Sequence, residues 1–159
     1  MRKSFSLWII SLFICNIALS DVIVSIDDVL VGGYTEDIIV PVNVSNPDNS
    51  VGGFQFDIVA VPTIITLSGA SPIDSDNFSA DFTVFEDGSG RIIFYNNSGG
   101  QISSGGDGIV LNLHYDGSDV LSALVDLEAY DLTVSDGDGN IISGELVNGS
   151  ITIGNVVIM

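Results

Sequence analysis

Apolar and polar residues alternate through most of the chain, which predicts β-strands. The clearest run places three apolar residues, Phe54, Phe56 and Ile58, at every second position. Gln55 and Asp57 lie between them. Because successive side chains of a strand point to opposite faces, the apolar three are predicted to face a core and the polar pair to face solvent.

Nine such runs are separated by clusters of Gly, Asn, Asp and Ser, and no stretch after residue 20 has a helical period. Short strands with turns at this spacing are typical of a β-sandwich, so we predict one all-β domain. The predicted strands are residues 22–26, 38–44, 53–58, 63–67, 82–85, 91–96, 108–115, 124–132 and 150–153.

Alternation also predicts which side chains of the longer runs face inward. Pro41 interrupts the second run and cannot donate a ladder hydrogen bond, so that strand is predicted to lie at a sheet edge or to carry a bulge. Two sets of inward residues follow from the pattern: Ile38, Val40, Val42 and Val44, and Ile109, Leu111, Leu113 and Tyr115.

The first twenty residues have a different character. Arg2 and Lys3 precede an apolar run at 5–15, and Ala18 and Ser20 place small residues before Asp21. This is the layout of a secretory signal peptide, with an uncleaved anchor as the alternative. The apolar run is short for a membrane span, so we predict a signal peptide at 1–20 and a secreted, extracellular domain at 21–159.

Charge narrows the choice of partners. Residues 21–159 hold 21 acidic residues against a single cation, Arg91, for a formal charge of −20, and they contain no cysteine. Packing rather than a disulfide must therefore hold the domain together. The charge excludes nucleic acid and anionic membranes as partners and favours basic partners and divalent cations, although adaptation to a saline exterior is the simpler explanation.

Catalytic motifs are weak, so we predict that the chain is not an enzyme. A Ser-His-Asp triad would have to use His114, the only histidine, which lies within a predicted strand with no nucleophile motif beside it. Residues 87–90 (Asp-Gly-Ser-Gly) are typical of a hairpin turn rather than of an aspartic-protease loop. No sequence rule locates a glycosidase carboxylate pair, so a glycoside hydrolase stays as the weakest alternative.

One acidic loop is a candidate metal site. Asp136, Asp138 and Asn140 place oxygen-bearing side chains at alternate positions, as at the start of a calcium loop. The twelfth position of an EF-hand loop would be Val147 instead of an acid. A tight turn between two strands is the favoured alternative, and calcium is the candidate cofactor.

The order of several segments resembles the cohesin domain, the receptor module of cellulosomes and related cell-surface assemblies. Five segments follow one another in the family's order: an early V-P-V strand, an alternating aromatic pair, a later hairpin strand, a G-D-G step and a closing N-G-x-I-x-I pattern. They occupy residues 35–42, 50–58, 90–99, 105–113 and 148–153. The similarity covers nearly all of residues 22–154.

This resemblance implies a nine-strand jelly-roll β-sandwich related to carbohydrate-binding modules. It also implies a non-catalytic module that docks a dockerin in cell-surface assembly linked to polysaccharide degradation. The docking face would be one flat sheet surface, and the residues that the resemblance places there are Gln55, Asp57, Phe85, Tyr95 and Asn96.

Other partners stay open. Val51 and Gly53 stand where dockerin-binding cohesins often have polar residues, and residues 58–62 replace the usual Y-D-P turn. Another protein or a glycan is therefore an alternative partner. A carbohydrate-binding module would need a row of exposed aromatic side chains, for which Tyr34, Tyr95 and Tyr130 are the candidates.

Overall fold

The computed structural model describes residues 21–46, 48–97 and 99–154, and within these ranges all regular structure is β. All nine predicted strands have counterparts, and three strands of four residues or fewer (β2, β10 and β11) are added. The strands are β1 Val22–Ile26, β2 Val29–Val31, β3 Ile38–Asn46, β4 Gly53–Val61, β5 Thr66–Pro72, β6 Phe78–Val84, β7 Gly90–Asn96, β8 Gly106–Asp116, β9 Ala123–Ser135, β10 Ile141–Ile142, β11 Gly144–Val147 and β12 Gly149–Ile153.

These strands form two sheets around one hydrophobic core. The five-stranded sheet has the order β11-β1-β3-β8-β5. The seven-stranded sheet has the order β2-β12-β9-β4-β7-β6, with β10 paired to β9. The inner side chains of both sheets belong to a single buried cluster, so the predicted all-β sandwich is confirmed.

An aromatic row forms the core beneath the seven-stranded sheet. The Phe94 ring stacks on Phe54 at a centroid distance of 4.9 Å and on Phe78 at 4.8 Å. Phe56, fully buried, continues the row from Phe54 at 6.1 Å. Burial of each such ring contributes about 1.5–3 kcal/mol, so this row is a main support of β4 and β7.

The alternation predicted for β4 holds for its apolar side and in part for its polar side. Phe54, Phe56 and Ile58 are buried, and Gln55 is partly exposed. Asp57 lies on the outer face but is only 7 % exposed, which contradicts its predicted exposure. The reason is an ion pair with Arg91, described below, that covers the carboxylate.

One inward residue predicted for β8 is wrong. Leu111, Leu113 and Tyr115 are buried as predicted, whereas Ile109 is 47 % exposed. The ladder to β3 shifts register between Val42 and Asn43, because an extra residue in β8 forms a bulge. The bulge reverses the alternation, so Ile109 turns outward and its neighbour packs against the core.

Proline residues account for two other details of the strands. Pro41 lies inside the five-stranded sheet rather than at its edge, and the nearby bulge has its extra residue in β8, so the prediction that the Pro41 strand is an edge strand or carries a bulge is wrong. The sheet accommodates the proline because the β1 ladder ends at Val42, the residue that follows it. Pro62 ends β4, and its carbonyl accepts a hydrogen bond from Ile64. The fourth predicted strand therefore begins at Thr66 rather than at residue 63.

The predicted signal peptide at 1–20 lies outside the described residues, so it stays a prediction. Within the described ranges, no helix is long and apolar enough to cross a bilayer.

Candidate docking face

Alternate residues of four adjacent strands, β9, β4, β7 and β6, form the outer surface of the seven-stranded sheet. Gln55 lies opposite Ile93 on one side and Thr133 on the other. Tyr95 lies opposite Gly53, and Tyr130 opposite Asp57. We call this surface the docking face; its outward residues are Gln55, Asp57, Ser79, Asp81, Thr83, Arg91, Ile93, Tyr95, Tyr130 and Thr133.

An ion pair between β4 and β7 lies on the docking face. Arg91 donates from Nε to Oδ1 of Asp57 at 2.7 Å and from Nη2 to Oδ2 at 2.8 Å. The hydrogen bonds and the charge of Asp57 raise the pKa of Arg91 above its ordinary value. Since both carboxylate oxygens are occupied, Asp57 is not free to attract a basic partner in the way its sequence position suggested.

A hairpin turn presents an aromatic ring next to this ion pair. The guanidinium of Arg91 lies 5.8 Å from the centre of the Phe85 ring. Ser89 donates from its amide and its hydroxyl to Asp87, which lowers the pKa of that carboxyl. The turn reading of residues 87–90 is thereby confirmed, and the turn holds Phe85 partly exposed at the rim of the face.

Tyr95 is the most exposed aromatic residue of β7, at 40 %. Its hydroxyl donates to the Asp81 carboxylate at 3.1 Å. Asn96, the last residue of β7, is partly buried, and its backbone amide donates to the Gly52 carbonyl at 3.1 Å. Gln55 and Tyr95 thus lie at one end of the docking face, while Asp57 and Phe85 lie towards the other. Asn96 adjoins that first end, but the alternation of β7 places its side chain on the same side as buried Phe94, not among the outward residues.

A groove of about 530 Å³ opens at that first end, between β7 and the turn after β9. Gly52 forms part of its wall and leaves no space for a side chain, because a Cβ there would lie 2.3 Å from the Asp136 carbonyl oxygen. The groove also contains Gln55, Tyr95 and Thr133. Sequence patterns did not predict it, since it depends on how closely the 136–140 turn approaches β4.

The predicted calcium residues form that turn. Asp136 accepts hydrogen bonds at Oδ1 from the amides of Asp138 and Asn140, and at Oδ2 from the Asn140 side chain. These bonds, led by the Asn140 side chain, lower the pKa of Asp136. No group of three acidic, histidine or cysteine side chains in the described ranges is arranged to hold a metal ion, so the calcium site stays a prediction.

His114 has partners that the sequence did not indicate. Its Nε2 lies 2.8 Å from Ser71 Oγ, and its Nδ1 lies 2.9 Å from Asp37 Oδ1. A carboxylate accepts, so Nδ1 donates to Asp37. The spacing is that of a Ser-His-Asp triad, but these residues line neither the groove nor a second cavity of about 270 Å³. They link three neighbouring segments of the five-stranded sheet.

The tyrosines proposed for glycan binding do not form a row. Tyr95 and Tyr130 lie on opposite sides of β4 and four residues apart along it, at Gly53 and Asp57. Tyr34 lies in the segment between β2 and β3. A flat glycan chain has no continuous aromatic platform here.

An all-β sandwich that exposes aromatic side chains on the outer surface of one sheet is typical of the class of binding modules. The chain belongs to the cohesin domain family: the family model for the cohesin domain matches residues 22–153. Cohesin domains are non-catalytic binding modules, so the prediction that the chain is not an enzyme is confirmed. No curated protein matches the chain.

Solved cohesins share this fold. A non-cellulosomal cohesin from Archaeoglobus fulgidus is 20% identical, with a TM-score of 0.66 over 86% of this chain and 93% of that one. The cohesin of a type I cohesin–dockerin complex from Clostridium thermocellum, Coh-OlpA with Doc918, is 20% identical, with a TM-score of 0.67 over 84% and 99%. CaCohA2 from Clostridium acetobutylicum is 23% identical, with a TM-score of 0.63 over 86% and 93%.

Proposed function

We propose that the chain is a secreted, non-catalytic cohesin that binds a dockerin-like protein module through the docking face. It acts in cell-surface assembly, with polysaccharide degradation as the associated process. The predicted signal peptide and the strongly acidic domain support an extracellular location.

The observation that carries this proposal is the distribution of interface-forming residues. Tyr95, Tyr130 and Phe85 are partly exposed on the docking face or at its rim, beside Arg91, the one cation after residue 20. Tyrosine and arginine are among the residue types enriched where interfaces concentrate their binding energy. The solved Coh-OlpA cohesin, whose fold is similar, was captured with a dockerin, which supports the same class of partner for this chain.

A pair of matched variants tests the face. Ile93 and Ile39 are isoleucines that are 38% and 47% exposed, on the outer surfaces of the seven-stranded and five-stranded sheets. We expect Ile93→Lys to weaken binding to a dockerin at least about tenfold, because it places a long charged side chain at the centre of the interface. Ile39→Lys changes the net charge equally and is expected to leave the affinity unchanged.

The measurement is isothermal titration calorimetry against a panel of purified dockerins that includes those of the solved complexes. Circular dichroism of each variant verifies that the fold is retained. Equal losses of affinity in both variants would remove the docking face from consideration, and no binding to any dockerin of the panel would count against this class of partner.

A further inference from the structure

We propose that the groove beside Tyr95 is a pocket for a lysine or arginine side chain of the docking partner. This inference rests on the proposed function, because it names the chemistry that the docking face recognises. It concerns the end of the face bounded by β4, β7 and the 136–140 turn.

The first argument is the unused hydrogen-bonding capacity of the groove. The side chains of Gln55 and Thr133 line it and form no hydrogen bond with any residue in the described ranges. The exposed carboxylate of Asp138, at the rim, also accepts none from those residues. Partly covered acceptors that lack a donor favour a ligand that brings several N–H groups.

Charge is the second argument. The groove contains two carboxylates, Asp136 and Asp138, and no basic residue. Arg91, the one cation of the domain, is held by Asp57 near the other end of the face. A positive side chain entering the groove therefore meets an uncompensated negative potential, which also speeds the encounter.

The shape of the groove selects a long side chain. Ile93 and the Tyr95 ring provide an apolar wall on the β7 side, whereas the carboxylates lie on the opposite side. Lysine and arginine combine an apolar stem with a charged end, so the stem packs along β7 while the end reaches the turn. The Tyr95 ring adds an attractive face for the cation.

The proposal is tested by NMR titration of the ¹⁵N-labelled protein with N-acetyl-arginine amide. N-acetyl-citrulline amide is the control probe, since it has nearly the same shape and no charge. We expect saturable shifts of the Gly137, Asp138 and Gly139 amides and of the Gln55 side-chain amide with the arginine probe. The citrulline probe is expected to bind at least about tenfold more weakly.

Two variants that each remove one carboxylate show where the arginine probe binds. Asp138→Asn is expected to weaken binding of the arginine probe severalfold, whereas Asp119→Asn, at an exposed acidic turn outside the groove, leaves it unchanged. Thr133→Phe, which fills the floor of the groove, should abolish the saturable shifts. The inference is overturned if the two probes bind equally, or if the acidic turn at 116–119 shifts as much as the groove.

This experiment separates the groove from the docking proposal. Saturable binding of the arginine probe without binding to any dockerin would keep the basic-side-chain pocket and remove the dockerin. Dockerin binding that is unaffected by Asp138→Asn and Thr133→Phe would keep the docking face and remove the pocket.

Discussion

The outer surfaces of the two sheets use their side chains differently. On the five-stranded sheet, polar residues bridge neighbouring strands: Asn43 donates to Asp27 at 2.6 Å, and His114 links Ser71 to Asp37. On the docking face, Arg91 bridges to Asp57 and Tyr95 to Asp81 in the same way. The side chains of Gln55 and Thr133, which lie opposite each other there, form no hydrogen bond within the described ranges.

Aromatic residues sharpen the contrast. Tyr95 and Tyr130 project from the docking face and are each about 40 % exposed. In the five strands of the other sheet, the only Phe or Tyr residue is Tyr115, which is buried. The acidic charge is shared by both surfaces, so charge alone does not select one. Exposed aromatic rings do, which is why we assign the partner to the seven-stranded sheet.

The largest expected effect is on the free energy of unfolding, and it distinguishes two adjacent residues of β7, one in the core and one on the docking face. Phe94→Ala removes the ring stacked between Phe54 and Phe78 and is expected to cost about 3–5 kcal/mol of unfolding free energy. Tyr95→Ala removes an exposed ring and one hydrogen bond to Asp81, so its expected cost is below about 1 kcal/mol.

Urea unfolding measures the stability of both variants, and calorimetry with a dockerin measures the affinity of Tyr95→Ala. We expect Tyr95→Ala to lose affinity while it keeps its stability. A Tyr95→Ala variant as unstable as Phe94→Ala would mean that the ring supports the fold instead of serving a partner.

Alternation predicted the sandwich because it depends only on neighbours in sequence. Phe54, Phe56 and Ile58 face the core as the pattern indicates, since a strand reverses side-chain direction at every residue. The prediction that Ile109 faces inward was wrong because a bulge in the β3–β8 ladder adds one residue to β8. A single added residue reverses the direction of every side chain beyond it.

The candidate site was harder to predict from the sequence than the fold, because it depends on contacts between residues that are far apart in the chain. Asp57 and Arg91 are 34 positions apart, and only the β4–β7 register brings them into contact. Alternation predicted an aspartate that faces solvent, and it carries no information about a cation on a neighbouring strand. The lone arginine of a domain with 21 acidic residues was a usable signal, because such a cation is expected to have a carboxylate partner.

A second test lies beneath the five-stranded surface. The Tyr115 hydroxyl is buried without a hydrogen-bond partner in the described residues, and burial raises the pKa of this phenol above its ordinary value. Replacing it removes the cost of an unpaired buried group, so Tyr115→Phe is expected to stabilise the protein by about 1 kcal/mol at neutral pH. It should leave dockerin affinity unchanged, because Tyr115 faces the core beneath the opposite sheet.

The stability advantage of Tyr115→Phe over the wild-type protein is expected to depend on pH. Above pH 10, Tyr115 loses its proton in the unfolded chain but keeps it in the folded one, so the wild-type protein loses stability as pH rises. Tyr115→Phe has no phenol to titrate, so its free energy of unfolding does not fall in this way. The difference in stability between the variant and the wild-type protein should therefore grow from about pH 9 to about pH 11, one unit on either side of the ordinary pKa of tyrosine. An advantage that stays constant over this range would show that the hydroxyl is not desolvated in the folded protein.

The smallest expected effect concerns calcium at the turn that borders the docking face. Both carboxylate oxygens of Asp136 already accept hydrogen bonds, and the Asn140 amide nitrogen points towards them. Calcium would have to displace these donors, so we expect the melting temperature to be the same in millimolar calcium and in a chelator. Asp138→Asn is the control, since the Asp138 side chain takes no part in the turn's hydrogen bonds. A calcium-dependent rise in melting temperature that this variant abolishes would instead establish a metal site at this turn with Asp138 as a ligand, and the turn would then help to organise the docking face through a bound ion.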